Sequence, residues 1–341
     1  MIVHNIGCSI HAPSDGLSEI TRRHERLPVI RDVILARPRG FCAGVIRAIE
    51  TVEQLVAAAT RPVYVRHQIV HNADVVGDFE RRGVSFIEDL NDVPVGMPLV
   101  LSAHGVSRKV RGAALRRRLE VIDATCPLVA KVHREIRAHV RAGRHVLLIG
   151  HRGHPEVEGS LGQVAADRIT LVDPSDTDFA LPTITGPVAY ATQTTLDVEQ
   201  TRALIARLQQ VFPEIVGPGL QDICYATTNR QAAVRFLARH CDLVLVVGSA
   251  NSSNAARLVE VAVNAGVKAQ LVDGQPHRWR GAWREARRIG VTAAASAPES
   301  AVIACVGALA RELGAIRIRS MGEEEAIRFP PPAGLPCPPG P

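Results

Sequence analysis

Three cysteines in the 341-residue chain stand at equivalent points of an internal repeat. Cys42 opens CAGVIRAIETVEQLVAA, Cys126 opens CPLVAKVHREIRAHVRAG, and Cys224 opens CYATTNRQAAVRFLARH. In each stretch apolar residues return every three to four positions, the period of an amphipathic helix. Each thiol is therefore predicted at a helix N-terminus, where the partial positive charge favours thiolate over thiol. Arg37 and Arg39, just before Cys42, add to that charge. Thiolates bind soft metals. A lone cysteine at a helix start is more often a packing residue, but three in register argue for a shared ligand. Three thiolates can hold zinc with an open fourth position. They can also hold three irons of a [4Fe–4S] cluster, which usually has four cysteine ligands. A missing fourth would leave one iron open for chemistry. Spacing alone does not separate the two metals.

The other cysteines read differently. Cys241 adjoins an apolar strand and Cys305 lies inside AVIACVGALA, so both are assigned to the core. Cys8 and Cys337 lie in the terminal segments and offer no partner. Seven cysteines with no C-x-x-C pair argue against a zinc ribbon, a thioredoxin motif or a disulfide framework.

Behind each cysteine helix the same elements follow. A short apolar strand runs into a polar loop: PVYVRHQIV into His71-Asn72, HVLLIG into His151–Glu156, and DLVLVVG into Ser249–Asn254. The cysteine-to-loop offset is nearly constant: 71 − 42 = 29, 154 − 126 = 28, 252 − 224 = 28. A second strand and loop recurs further on, in MPLVLSAHG with His104, GPVAYATQTT with Thr194 and Thr195, and IGVTAAASAP with Ser296. Strands alternating with helices predict α/β units with parallel sheets, whose ligands bind beyond the carboxyl ends of the strands. All six loops follow strands, so they converge if the units face one axis.

The loops supply the donors His71, His104, Ser252, Ser253, Asn254 and Ser296, a cradle suited to a diphosphate. No GxxxxGK[ST] P-loop is present. Glu156 is the carboxylate of these loops. Buried beside an anion, it would have a raised pKa and deliver protons; otherwise it starts a helix and meets its dipole. Glu158 is expected to point elsewhere.

The boundaries read as an N-terminal extension (1–31), unit one (32–125), unit two (126–223), unit three with a C-terminal segment (224–329) and a Pro-rich, extended and disordered tail (330–341). The strand VILAR (33–37) precedes the first cysteine helix and needs a partner, for which AIRIRS (315–320) is the candidate.

Composition narrows the function class. Hydrophobic residues are 46% and charged residues 22%, enough for one large core or two to three smaller ones without long internal disorder. No run of about 18 apolar residues suggests a membrane helix, and the N-terminus lacks a secretory pattern, so a cytoplasmic location is expected. Net charge is +6, yet aromatics are only 4%, which disfavours nucleic-acid binding and suits a small anionic substrate.

With these readings in place, RGFCAG (39–44), VRHQIVHN (65–72), SAHGVS (102–107), DATCPLV (123–129), GHRGHPEVEG (150–159), ATQTTL (191–196), DICYATTNRQ (222–231), GSANSSN (248–254) and VTAAASAP (291–298) together resemble the LytB/IspH family, the 4-hydroxy-3-methylbut-2-enyl diphosphate reductases. The match runs in order from Val33 to Phe329. The resemblance implies three similar α/β domains in a pseudo-threefold cloverleaf around a central [4Fe–4S] cluster held by Cys42, Cys126 and Cys224. It implies loss of the substrate's allylic hydroxyl as water, giving isopentenyl and dimethylallyl diphosphate at the end of the non-mevalonate isoprenoid pathway. It assigns diphosphate contacts to His71, His104, Ser252, Asn254 and Ser296, with Ser253 adjoining, and hydroxyl orientation and proton supply to His154, Glu156 and Thr194. Electrons would come from a ferredoxin or flavodoxin. Two positions depart from the family pattern: Ala294 stands where Gly is usual, and Ile46 where a polar residue is usual. A zinc-dependent hydrolase or lyase using the same thiols is the alternative.

Overall fold

The computed structural model describes residues 31–58, 61–176, 183–273 and 283–335. The expected extension (apart from Arg31), Cys8, Cys337 and the end of the tail lie outside these residues.

The first sheet is built from β2 (Val63–Arg66), β3 (Val84–Ile87), β4 (Pro98–Leu101) and β5 (Glu120–Asp123). Its helices are α1 (Ala43–Ala58), α2 (Ala73–Arg81) and α3 (Arg108–Arg116). The second sheet holds β6 (His145–Ile149), β7 (Ile169–Val172) and β8 (Val188–Thr192), with α4 (Pro127–Arg141), α5 (Pro155–Leu161) and α6 (Val198–Val211). The third holds β1 (Arg31–Arg37), β9 (Leu243–Val247), β10 (Lys268–Val272), β11 (Arg288–Ala293) and β12 (Ile316–Gly322), with α7 (Tyr225–His240), α8 (Ser253–Asn264) and α9 (Glu299–Leu313).

The strand orders are β3-β2-β4-β5, β7-β6-β8 and β10-β9-β11-β1-β12, and among the described residues the paired strands all run parallel. The inner pattern is the same three times: the strand after the cysteine helix sits between its two successors. Helices cover both faces, so β4, β8 and β9 are buried along their whole length and β6 nearly so, while the edge strand β12 is largely exposed. In β6, Val146 and Leu148 pack under α4, while Leu147 and Ile149 pack under α6. In β9, Val244 and Val246 face α7, while Leu243, Leu245 and Val247 face α9. This period-two division gives each unit two cores and fixes strand register, because a one-residue slip would exchange the two faces.

The strand leading into each cysteine belongs to the preceding unit. β5, before Cys126, edges the first sheet; Val216, before Cys224, bridges to β8 in the second. β1, before Cys42, lies between β11 and β12 in the third sheet, with Val33 opposite Ile289 and Ile318. The proposed neighbour of VILAR is therefore correct, but placing residues 32–37 in unit one is not. Val33, Ile34 and Ala36 are buried and need a covered strand position on both sides, which the third sheet provides.

The expected disorder from Pro330 onward also needs correction for its first residues. Pro332 is buried, and Leu335 packs on the core formed by α1, α2 and the first sheet. The segment is extended but packed, because its apolar residues reach a core surface that composition alone does not reveal.

Candidate active site

All six polar loops meet at one cavity. Cys42, His71, His104, Cys126, His154, Glu156, Thr194, Cys224, Ser252, Ser253, Asn254 and Ser296 all line it, together with Thr195. The sequence-predicted residues are thus brought together without exception. Glu158 is exposed on a different face, as expected, and Cys241 and Cys305 are buried core residues. Local sequence explains the convergence: Asn72, His154, Ser252, Cys126 and Cys224 are helix N-caps, so the loops end where helices begin. Several positive helix ends aim at one space, which favours anions there.

The thiols lie together. A methyl group on Gly44 would stand 2.7 Å from Cys126 Sγ and 3.8 Å from Cys42 Sγ, so glycine keeps the space between two sulfurs clear. Burial pushes the Cys126 thiol up to about 12 and Cys224 up to about 11, and the charge of Cys42 adds to both. Backbone N–H bonds oppose the shift but do not overcome it. At Cys126 and Cys224 burial thus favours the neutral thiol, against the thiolate expected from a helix start, and a bound cation would favour the thiolate again. A soft metal group fits this donor set. Among the described residues, no three of His, Cys, Asp and Glu are grouped as ligands of a single ion.

Glu156 sits deeper, fully buried on the first turn of α5. The Thr194 amide donates to its Oε1 at 2.7 Å and the Thr194 hydroxyl to its Oε2 at 2.9 Å. Burial nevertheless raises its pKa to about 7, with the charge of Asp222 adding to the rise. Both earlier readings of Glu156 meet here: it begins a helix, and it is a carboxyl poised to exchange a proton. His154 accepts the Glu156 amide hydrogen at its Nδ1, 3.1 Å away, which leaves Nε2 as the protonated nitrogen of the neutral ring.

Opposite lies a cluster of imidazoles. The His71 and His104 ring centres are 4.1 Å apart, with His154 at 5.2 and 5.9 Å. Burial lowers His71 to about 4 and His154 to about 3, and takes His104 well below its ordinary value; charge on neighbouring histidines adds in each case. His71 Nε2 and Asn254 Nδ2 are buried with no hydrogen-bond partner among the described residues. Unmet donors in a polar cavity are where an anion's oxygens would bind. Ser252 and Ser296 hydroxyls are 3.2 Å apart; Ser296 donates to the His71 carbonyl, and Asn254 Oδ1 accepts from the Ala295 amide. The Ser253 hydroxyl is 3.3 Å from that of Thr195. Ala294 does not disturb this arrangement. It is wholly buried, lies outside the left-handed backbone region and donates to the Val247 carbonyl, while Gly248 across from it leaves it room. Ile46 is surface-exposed.

Sequence reasoning missed three supports. Thr227 places its hydroxyl 3.2 Å from Cys224 Sγ, three residues on, the spacing of a helix-start cap and so legible in principle. The Tyr225 hydroxyl accepts the Ala43 amide hydrogen, tying two cysteine helices together. Asp222, buried two residues before Cys224, accepts from Lys131 Nζ at 2.7 Å and from the Thr192 amide at 3.2 Å. No local signal announces the Tyr225 and Asp222 contacts, because their partners are distant in sequence.

The fold and cavity define a class: a three-unit α/β protein with a site lined by three thiols and by buried imidazole, hydroxyl and amide groups. The family model described as LytB protein matches residues 33–310, and the chain belongs to that family. A 4-hydroxy-3-methylbut-2-enyl diphosphate reductase from Burkholderia pseudomallei (strain 1026b) is 52% identical over 308 residues, 89% of this chain and 97% of the relative. The enzyme of the same name from Bordetella pertussis is 52% identical over 306 residues, 89% of this chain and 94% of the relative. The solved E-1-hydroxy-2-methyl-but-2-enyl-4-diphosphate reductase of Plasmodium falciparum superposes with a TM-score of 0.83 at 37% identity, covering 90% of this chain and 97% of that one.

Proposed function

We propose that this chain is a 4-hydroxy-3-methylbut-2-enyl diphosphate reductase, the terminal enzyme of the non-mevalonate isoprenoid pathway, acting in the cytoplasm. It converts (E)-4-hydroxy-3-methylbut-2-enyl diphosphate, two electrons and two protons into isopentenyl or dimethylallyl diphosphate and water. The observation that carries the reading is the single cavity joining three helix-start thiols, the Glu156–Thr194 pair and the unmet donors of His71 and Asn254.

Cys42, Cys126 and Cys224 would hold a [4Fe–4S] cluster, which when bound supplies the electrons and a Lewis-acidic iron for the hydroxyl oxygen. His71, His104, Ser252, Asn254 and Ser296 bind the diphosphate, with Ser253 beside them and the α8 N-terminus adding its dipole. Thr194 and His154 orient the allylic hydroxyl. Glu156, half protonated near neutral pH, donates a proton toward the departing hydroxyl and is shielded from bulk water by its burial. A reduced ferredoxin or flavodoxin delivers the electrons one at a time.

The test is iron and acid-labile sulfide content on protein purified without oxygen, followed by turnover with the allylic diphosphate. About four of each per chain, with turnover, is the expected result. Zinc without sulfide would overturn the reductase reading in favour of a hydrolase or lyase on the same thiols.

A further inference from the structure

A second, charged cleft lies outside the active-site cavity, in the seam between the first two units. Its walls are α3 and α4, and Arg108, Arg111, Arg134 and Arg137 line it with His133. The two helices and their C-terminal turns (107–119 and 127–144) carry eleven Lys and Arg against one carboxylate, Glu135. That surplus of ten exceeds the chain's net +6, so the remaining residues sum to −4. Of these cations Arg108, Arg111, Arg134 and Arg137 line the cleft, against Asp123 as its one lining carboxylate among the described residues, whereas Lys131 pairs with Asp222 and Arg117 bonds to Asn91 outside it. Arg108 and Arg134 are exposed and have no ion-pair partner among the described residues, while Arg111 is paired with Asp123 and Arg137 donates to Gln163. His133 is buried, and its Nε2 has no hydrogen-bond partner among the described residues. Unpaired like charges held together usually await an opposite charge.

The cleft is also close to the thiols. Thr125 and Ala130 line it, and the Ala130 amide donates to the carbonyl of Cys126, which begins α4 between them. On its inner side, the His133 ring lies against Gly105, the residue after His104; a methyl there would be 2.8 Å from His133 Cε1. One layer of residues thus separates the basic cleft from the cavity.

We propose that this face docks an acidic one-electron carrier protein, which delivers electrons through the Cys126 side of the site. The inference rests on the reductase reading: the reaction takes two external electrons per turnover, supplied by two reduced carriers, each of which leaves oxidised. Two arginines from each helix line the cleft, a spread over two elements and two units that suits a protein surface better than a single small anion.

The test uses the cluster-loaded protein and an acidic [2Fe–2S] ferredoxin as probe, comparing wild type with the Arg108→Glu/Arg134→Glu double variant. Calorimetric affinity is expected to fall at least about tenfold in the variant, with a shallower salt dependence. Ferredoxin-driven reduction slows in parallel, while turnover with dithionite-reduced methyl viologen stays at the wild-type level. Unchanged ferredoxin affinity would overturn the proposal, as would equal loss with both reductants. Preferential, charge-dependent binding of inorganic diphosphate or an RNA oligonucleotide in place of ferredoxin would also overturn it, assigning the cleft to that ligand. Failure of wild type with the viologen donor instead removes the reductase reading, and the binding measurement reports on docking separately.

Discussion

Glu156 takes its chemistry from burial opposed by Thr194. Desolvation lifts the carboxyl and two Thr194 hydrogen bonds restrain the lift, leaving a pKa of about 7. The acid form is present below that value and is lost as pH rises through it, so proton-dependent turnover should decline above about pH 7 in a pH–rate profile. Glu156→Gln keeps shape and burial but has no proton to give. It should retain iron and substrate affinity while losing about 10²-fold or more in turnover, the scale of general acid catalysis; wild-type turnover would remove the assigned role. The imidazoles behave in the opposite sense. His71 and His154 are depressed to about 4 and 3, so at neutral pH they are uncharged until an anion enters. Binding of inorganic diphosphate should therefore draw protons onto them. Calorimetry in buffers of differing ionisation enthalpy should show net proton uptake at pH 7, and none would mean the rings bind as neutral donors. The same depression bears on stability: the benefit of keeping these rings neutral is present above pH 6.5 and is lost as pH falls toward 4. Cys126→Ser would remove one of the three proposed cluster ligands and should abolish cluster retention, read as iron per chain.

At the scale of elements, the shared strand order explains why three cysteines could be aligned from sequence at all. A fixed offset of 28 or 29 residues reflects one helix, one strand and one loop built the same way each time. Amphipathic period and apolar runs are local, so the cysteine helices and the strands before the six polar loops were legible, while the roles given to the loop residues came from the family resemblance. Placement of β1 was only half legible: its partner AIRIRS could be named, but its position between β11 and β12 depends on pairing across some 250 residues, which no local pattern encodes. The burial that opposes ionisation of Cys126 and Cys224 was not legible, because helix polarity is visible in sequence and desolvation is not. Gly44 shows how an element serves the site. It lies in the first turn of α1, and Gly44→Ala would bring a methyl within 2.7 Å of the Cys126 sulfur. The helix itself should tolerate alanine, the better helix former. Circular dichroism should thus be unchanged while iron and sulfide per chain fall; full loading would show that Cys126 can rotate away without cost.

For the whole molecule, the arrangement of sheets makes a ring out of a linear chain. Each unit contributes the strand that enters the next cysteine loop, and the ring closes because β1, at the start, sits in the last sheet. The segment after β12 fastens this closure. Buried Arg230 on α7 donates to the Gly40 carbonyl beside the Cys42 loop and pairs with Glu325 at 3.0 Å. Further on, the Pro330 carbonyl accepts from Arg47 on α1, whose other nitrogen donates to the Thr125 carbonyl beside Cys126. Leu335 then packs on the first unit's core. One segment therefore ties unit three to unit one and touches the supports of two cysteines. Glu325→Ala would leave the Arg230 charge buried with only carbonyl partners. Breaking one side of a buried pair costs about 3–5 kcal/mol; the surviving bonds to Gly40 and Ala226 place the expected loss near the lower figure. Chemical denaturation of the variant should show that loss, and because Arg230 holds the Cys42 loop, the bound cluster should be lost to oxygen faster than in wild type. A stability loss with unchanged cluster lifetime would confine the pair to holding the fold, and would place the control of Cys42 in β1 and the Tyr225 contact instead.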